Sequence, residues 1–431
     1  MEEKVEFYKE TEFGEFPKDW ELKKLKDIVK IESGKRERGG GKGNGEVLSL
    51  GGENISPVGK LILNSPKYIS KKFYNSLKSG RVKEKDILFV KDGATTGKVA
   101  FIDELPTKEV AVNEHLFIIR NKTNNVDQKF LYYIMISNVF QNQIKSVFHG
   151  IIGGITKSEM EEFYVTLPSL EEQQKIAEIL SNIDGAIQKT DEIIDKTESL
   201  KKGLMQELFT KGIGHKEFKE TEIGRIPKEW EMVELGDEKI TFFIKSGSTP
   251  SKRIQEYWNG HILFVTQGDM TKVNKYLYET SEKITELGLK NFNLFIIPEN
   301  SILLSMYGTV GKVVINKNPV TVSQNIVAIK LNNKNADEEY FFYAIQYYTF
   351  QFEKEAKTST MKHLNIKIVK QIYLPLPSLQ EQQQIALIIS NIDNKISIEE
   401  NRKKYFEALF KTMLNKLMTG QIRVKNLEMR E

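Results

Sequence analysis

Leu167 to Gly212 opens LPSLEEQQKIAEILSNID and closes LMQELFTKG; from Leu376 the chain reads LPSLQEQQQIALIISNID and closes LNKLMTG. The two copies stand 209 residues apart from Pro168 onto Pro377 through Ile183 onto Ile392 to Leu208 onto Leu417. An internal repeat decides the fold before any local reading does. Ser169 with Glu172, and Ser378 with Glu381, are S-x-x-E capping boxes, in which serine and glutamate satisfy helix-start N–H groups from both sides. Behind the first box Ile176, Leu180, Ile183, Ile187, Thr190 and Ile194 step by four and three. Behind the second run Ile385, Ile389, Ile392 and Ile396, then Lys403, Phe406, Phe410, Met413 and Leu417. That alternation is the seam of a coiled coil. Gly212 and Gly420 are suitable C-terminal stops. Each helix is therefore expected to run for about 40 residues, or roughly 60 Å.

Outward from these segments the repeat continues. Tyr8-KETEFGEFPKDWE matches Phe218-KETEIGRIPKEWE, and Val110-AVNEHLFIIR stands opposite Val320-TVSQNIVAIK, both at an offset of 210. Between them the register drifts, and Asp86-ILFVKDGATTGKV meets Ser301-ILLSMYGTVGKV at 215. Insertions fall inside the globular parts and none inside the helices. Short β-rich runs are predicted at Val47–Leu50, Ile87–Val90, Lys98–Ile102 and His115–Arg120. Their partners are Ile262–Thr266, Ile302–Ser305, Lys312–Ile315 and Ile326–Leu331. Phe130–Phe148 and Tyr340–Ala356 read as helices with aromatic core stripes. Trp20 and Trp230 are expected to anchor each half. The fold class is α+β: two mixed α/β domains separated by two long helices that form an antiparallel coiled coil about a pseudo-two-fold axis. The expected boundaries are 1–166, 167–213, 214–375 and 376–431.

Composition narrows the class. At 431 residues more than one domain is expected. Hydrophobic content of 39% with 28% charged residues suits a folded, soluble chain. No apolar run of about 18 residues signals a membrane span. MEEKVEFYKE is unlike a signal peptide, and the absence of cysteine suits the cytoplasm. A net charge of +4 permits nucleic-acid binding without requiring it.

Enzyme signatures are missing. Gly93-ATTGKV and Gly308-TVGKV are too short for a P-loop and lack its Ser/Thr. No Asn/Asp-Pro-Pro-aromatic motif of an amino-methyltransferase occurs, and the five histidines show no metal-ligand spacing. No catalytic or metal site is expected. The paired glycine turns offer Lys91, Thr95, Thr96 and Lys98 in one half, and Tyr307, Thr309 and Lys312 in the other, as phosphate partners. Base edges suit Glu53 and Asn54 against Gln267 and Asp269, and Asn113 against Ser323, Gln324 and Asn325. The Gly-rich loop with Lys35, Arg36, Arg38 and Lys42, opposed by Lys245, Ser248, Thr249 and Lys252, suits a phosphate backbone.

The repeated LPSLxEQQxIAxIxSNID, the paired PKxW leads and the G-x-x-G-K-V turns resemble the specificity (S) subunit of Type I restriction–modification systems over the full length. The resemblance implies two target recognition domains, each reading half of a split DNA site, with the helices as a ruler. It also implies docking of two modification subunits that use S-adenosylmethionine to methylate adenine, and of restriction subunits that use ATP and Mg. Glu171, Gln173 and Gln174, with Gln380, Gln382 and Gln383, are the candidate docking residues. The family's circular organisation, in which segments near both termini complete one another's half, has no signal in this sequence. The alternatives are a standalone DNA-modifying enzyme and a coiled-coil adaptor that binds only proteins.

Overall fold

In the computed structural model, residues 8–11, 14–37, 45–147, 153–307, 311–349 and 365–424 are described. The chain divides into two compact units, Met1–Asp191 with Asn401–Glu431, and Glu192–Glu400. This cuts the chain differently from the four consecutive segments expected above. Each unit takes part of both long helices, which run Leu170–Lys211 and Leu379–Met418.

The first unit starts with an antiparallel hairpin, Tyr8–Thr11 with Gly14–Pro17. Glu21–Lys24 pairs with Tyr164–Leu167, the strand that leads into the first long helix. A four-stranded antiparallel sheet has the order Val29–Ser33, Leu116–Asn121, Ile87–Val90, Val99–Phe101. A three-stranded sheet sets Val47–Leu50 antiparallel to Lys67–Ile69 and parallel to Val110–Val112. The core gathers Trp20, Phe89, Phe130 and Tyr133 with Ile176 and Leu180 of the first long helix and Leu417 of the second. Here residues up to Asp191 lie antiparallel to residues from Asn401, and Lys403 Nζ reaches Asp191 Oδ1 at 2.6 Å.

The second unit repeats the plan. Its hairpin is Phe218–Thr221 with Gly224–Pro227, and Glu231–Glu234 pairs with Tyr373–Leu376. The larger sheet has five strands because Tyr276–Leu277 adds in parallel beyond Val313–Asn316. Trp258–Val265 lies parallel to Val320–Val322. Its core joins Trp230, Tyr340 and Tyr343 to Met205, Leu208 and Phe209 of the first long helix and Ile385 and Ile389 of the second. Lys201 Nζ meets Asp393 Oδ1 at 2.6 Å across the two helices.

The expected strands are present; four have the expected bounds, three differ by one residue at each end, and that expected at Ile262–Thr266 starts four residues earlier, at Trp258. The helix expected at Phe130–Phe148 is two helices, Gln128–Ile136 and Asn138–Val147. Ser137 breaks them with extended backbone, its N–H and hydroxyl both donating to Ile134 O. Serine competes with the helix for its own carbonyls, which favours such a break. Of Tyr340–Ala356, Glu338–Tyr347 is helical and 350–364 lie outside the described residues.

The capping boxes form only in part. Ser169 and Ser378 accept from the N–H of Glu172 and Glu381, both at 3.3 Å. The glutamate side chains are engaged elsewhere. Glu381 accepts from Ile213 N at 2.9 Å and Trp230 Nε1 at 3.0 Å, and pairs with His215 Nε2 at 2.9 Å. Glu172 accepts from Arg423 Nε at 2.8 Å, and Arg423 also reaches Asp19. These carboxylates tie the helix start to the chain segment that follows the other helix. For Glu172 the partner is a guanidinium, and such a charge-assisted pair outweighs a bond to one backbone N–H.

Candidate nucleic-acid interface

Parallel pairing of Val47–Leu50 with Val110–Val112 makes both strands end on the same side. Asn113 N donates to Leu50 O at 2.8 Å and joins the two loops that follow. Gly34 N and Lys35 N donate to Leu116 O and Val112 O, and Lys91 N donates to His115 O at 3.0 Å. Segments 34–37, 51–55, 91–97 and 113–115 therefore meet at one edge of the first unit. The second unit builds the same edge from 247–249, 266–270, 306–307 and 323–325. Ser323 N donates to Val265 O at 3.1 Å and Met306 N to Asn325 O at 2.9 Å. Gln267 Nε2 donates to Tyr307 O, and Thr249 Oγ1 to Gln324 Oε1. Close approach makes glycine necessary at the equivalent Gly34 and Gly247. A Cβ there would stand 2.0 Å from Asn113 O and 1.6 Å from Val322 O.

Side chains at these edges fall into two groups. Lys35, Arg36, Glu53 and Gln324 are exposed, as is Tyr307. Arg36 stands 3.5 Å from Glu114, and Glu53 pairs with Lys67 at 2.5 Å. Lys245 is exposed beside the edge and lies over the Phe295 ring at 5.0 Å. Thr95, Ser248 and Asn325 are half-buried.

Other candidates are committed to the fold. Asn54 is buried; its Oδ1 accepts from Gly51 N and its Nδ2 donates to Ile62 O, both at 2.9 Å. Asp269 is buried and accepts from Thr266 N and Ser281 N, both at 2.9 Å, closing a capping box. Ser323 is buried. Thr96 Oγ1 donates to Gly93 O inside its own turn, and Asn113 Oδ1 accepts from His115 N. Both turn lysines are held by a backbone carbonyl. Lys98 Nζ donates to Ile55 O at 3.3 Å and Lys312 Nζ to Val273 O at 2.8 Å. Burial, with Lys201 nearby, holds the Lys312 ammonium below its ordinary value. Lys252 is held against Glu282 at 2.5 Å and over Trp258. Arg38, Lys42 and Thr309 lie outside the described residues.

His115 stands at the first unit's edge too, as the last residue of the Asn113-Glu114-His115 run. Its Nδ1 pairs with Asp92 Oδ1 at 2.5 Å, and Asp92 Oδ2 accepts from Lys91 Nζ at 2.8 Å. Burial pushes the Asp92 carboxyl up, but Lys91 and His115 pull it further down, so it stays below its ordinary value. The ring is half-exposed, with Nε2 3.6 Å from Glu114 Oε1. In the repeat, His115 stands at the 210 offset from Asn325.

Of the docking candidates, Glu171, Gln174, Gln380 and Gln383 are exposed. Gln173 and Gln382 are not outward-facing. Gln173 Nε2 donates to Asn125 O and Pro168 O at 3.0 Å, and its Oε1 accepts from Asp127 N at 2.9 Å. Gln382 makes the same three bonds to Asn335 O, Pro377 O and Asp337 N.

Residues 17–199 and 227–408 each match the family described as the Type I restriction modification DNA specificity domain. The chain is 30% identical over 431 residues to a protein described as the MjaX Type I restriction enzyme specificity subunit of Methanocaldococcus jannaschii, covering 98% of both. It is 29% identical to the MjaVIII specificity subunit of the same organism, covering 98% of this chain and 99% of that one. The crystal structure of a Type I restriction–modification S subunit from M. genitalium superimposes with a TM-score of 0.60 at 16% identity, covering 92% of this chain and 96% of that one. The chain belongs to the Type I restriction–modification specificity family. Within that family it is a DNA-recognition subunit and not itself an enzyme. Among the described residues no helix is long and apolar enough to cross a membrane.

Proposed function

We propose that each unit reads one half of a split, asymmetric duplex site through its four-segment edge. The supporting observation is that the two edges share a backbone plan and differ in side chains. Lys35, Arg36, Glu53 and His115 stand at one; Thr249, Gln267, Tyr307 and Gln324 stand at the other. Same frame and different chemistry is what two half-sites of unlike sequence require. The recognition parts are 1–166 and 214–375, and 167–213 and 376–431 connect them. The long helices carry docking surface for two modification subunits, with Glu171, Gln174, Gln380 and Gln383 at the helix starts. Exposed Leu200, Leu387 and Ile398 add apolar area on the same helices. Those partners would supply S-adenosylmethionine chemistry, and restriction subunits ATP and Mg chemistry, in the cytoplasm.

The test is to co-express the chain with its modification subunits and map methylated adenines. Exchanging Thr249 and Gln324 for other polar residues should change one half of the site and leave the other half and the spacing intact. A change in both halves, or in neither, would overturn the reading. Binding by the isolated chain should be weak and fall steeply with salt.

A further inference from the structure

The two units carry the same Tyr–Ser–Asp set where the globular part meets the long helices. Tyr343, Ser390 and Asp393 form it in the second unit; Tyr133, Ser181 and Asp184 stand at the corresponding positions in the first. In the second unit the chain fills this set with its own lysines. Lys201 Nζ lies 2.6 Å from Asp393 Oδ1, and Tyr343 Oη donates to Asp393 Oδ2 at 2.7 Å. Lys275 Nζ donates to Tyr343 Oη at 3.1 Å and Ser390 Oγ at 3.2 Å, and to Glu339 at 3.0 Å.

In the first unit no lysine or arginine among the described residues forms an ion pair with Asp184, although Lys129 and Lys60 act on it from further off. The repeat places Phe410 where Lys201 stands, and its ring packs 6.1 Å from that of Tyr133. Tyr133 and Ser181 bond to each other at 3.0 Å. Among the described residues the only hydrogen bond to the Asp184 carboxylate comes from Gln188 Nε2, at 3.1 Å. A cavity of about 490 Å³ opens beside it, lined by Tyr133, Ser181, Asp184 and Gly185. Gly185 lines it where the other repeat has Asn394. Lys129 also lines the cavity, where the other repeat has Glu339, and draws the Asp184 carboxyl down, but its Nζ is bonded to Asp103 at 3.0 Å; Lys60 is bonded to Asp191 at 3.0 Å. Lys85 stands exposed at the rim. Burial holds the Asp184 carboxyl above its ordinary value, as expected of a carboxylate short of a partner.

We propose that the Asp184 cavity is an ammonium site, filled in the assembled complex by a lysine side chain of the polypeptide that docks against the long helices. The internal repeat supplies the chemistry, because the same three side chains already hold ammonium in the other unit. A carboxylate with two hydroxyls suits the three donors of an ammonium better than the planar fork of a guanidinium. The identity of the donor polypeptide rests on the function proposed above; the site itself does not.

The first measurement uses the purified full-length chain and n-butylammonium chloride, with sodium chloride and n-butanol as controls. Butylammonium should raise the Tm beyond both controls. Asp184→Asn should weaken its apparent affinity about tenfold, as loss of a charge-assisted hydrogen bond predicts. Phe410→Lys, which restores the lysine of the other repeat, should abolish the response. An equal response in wild type and Asp184→Asn would overturn the site. The second measurement treats the complex with modification subunits with carbodiimide, with and without added butylamine. A mass-spectrometric link from Asp184 to a partner lysine supports the docked lysine. Coupling of Asp184 to butylamine in the complex as readily as in the free chain overturns it. The first measurement needs neither DNA nor partner, so its failure is separate from failure of the DNA-reading function.

Discussion

Gln173 and Gln382 were legible as helix-start residues but not as clamps. The signal was available, because each lies three residues before a core isoleucine, Ile176 or Ile385, and so shares its face. What the pattern lacks is the partner: Asp127 N and Asp337 N are 46 and 45 residues away along the chain. Gln173→Ala would remove the bonds to the buried Pro168 carbonyl and to the partly buried Asp127 N–H and Asn125 carbonyl. It should destabilise the first unit by about 2–3 kcal/mol, read from urea unfolding. Asp184 gives a prediction of opposite sign. Its folded form holds the proton more tightly than the unfolded form, because burial raises the carboxyl. Ionising it therefore costs stability above the folded midpoint, and that cost disappears as pH falls through the midpoint. Without a bound amine, Asp184→Asn should be at least as stable as wild type at pH 7 and should lose this acid-side gain; urea midpoints between pH 4 and 7 would show it.

At the level of elements, the repeat and the heptad seam sufficed to define the two long helices. Their start and stop follow from period and caps, and their antiparallel sense from the pseudo-two-fold axis of the repeat. The glycine turns were legible, whereas the carbonyls that hold their lysines were not. Ile55 O and Val273 O lie 43 and 39 residues from the lysines they hold, a distance no local motif reports. Lys98→Ala and Lys312→Ala should therefore lower the Tm slightly and leave unchanged the slope of log affinity against log salt for the complex. A shallower slope would restore them as phosphate contacts. The helices also bear on spacing. Met205, Leu208 and Phe209 belong to the core of the second unit, so an inserted heptad belongs at 192–200, with its antiparallel partner at 394–402. Seven residues add roughly 10 Å, or about three base pairs, to a ruler. Methylation mapping should then find a longer spacer between unchanged half-sites.

For the whole molecule, the division of the chain was the least legible feature. Contacts from Arg423 to Glu172 and Asp19, and from Tyr8 Oη to Gly420 O at 3.0 Å, close the first unit with the end of the chain. Nothing in the repeat itself distinguishes a helix that finishes its own half from one that finishes the other. Arg423→Ala would leave the fully covered Glu172 side chain unpaired. The loss should be about 2 kcal/mol, less than for a fully buried pair because Arg423 is partly exposed. Calorimetry should show it in the first unit and not in the second. The same closure governs biosynthesis. Chains usually fold from the N-terminal domain onward as they leave the ribosome. Here the second unit is one continuous stretch, Glu192–Glu400, whereas the first awaits Asn401 and beyond. The half of the molecule made first is completed last, and a ribosome that stops early releases a chain with one finished unit and one still open.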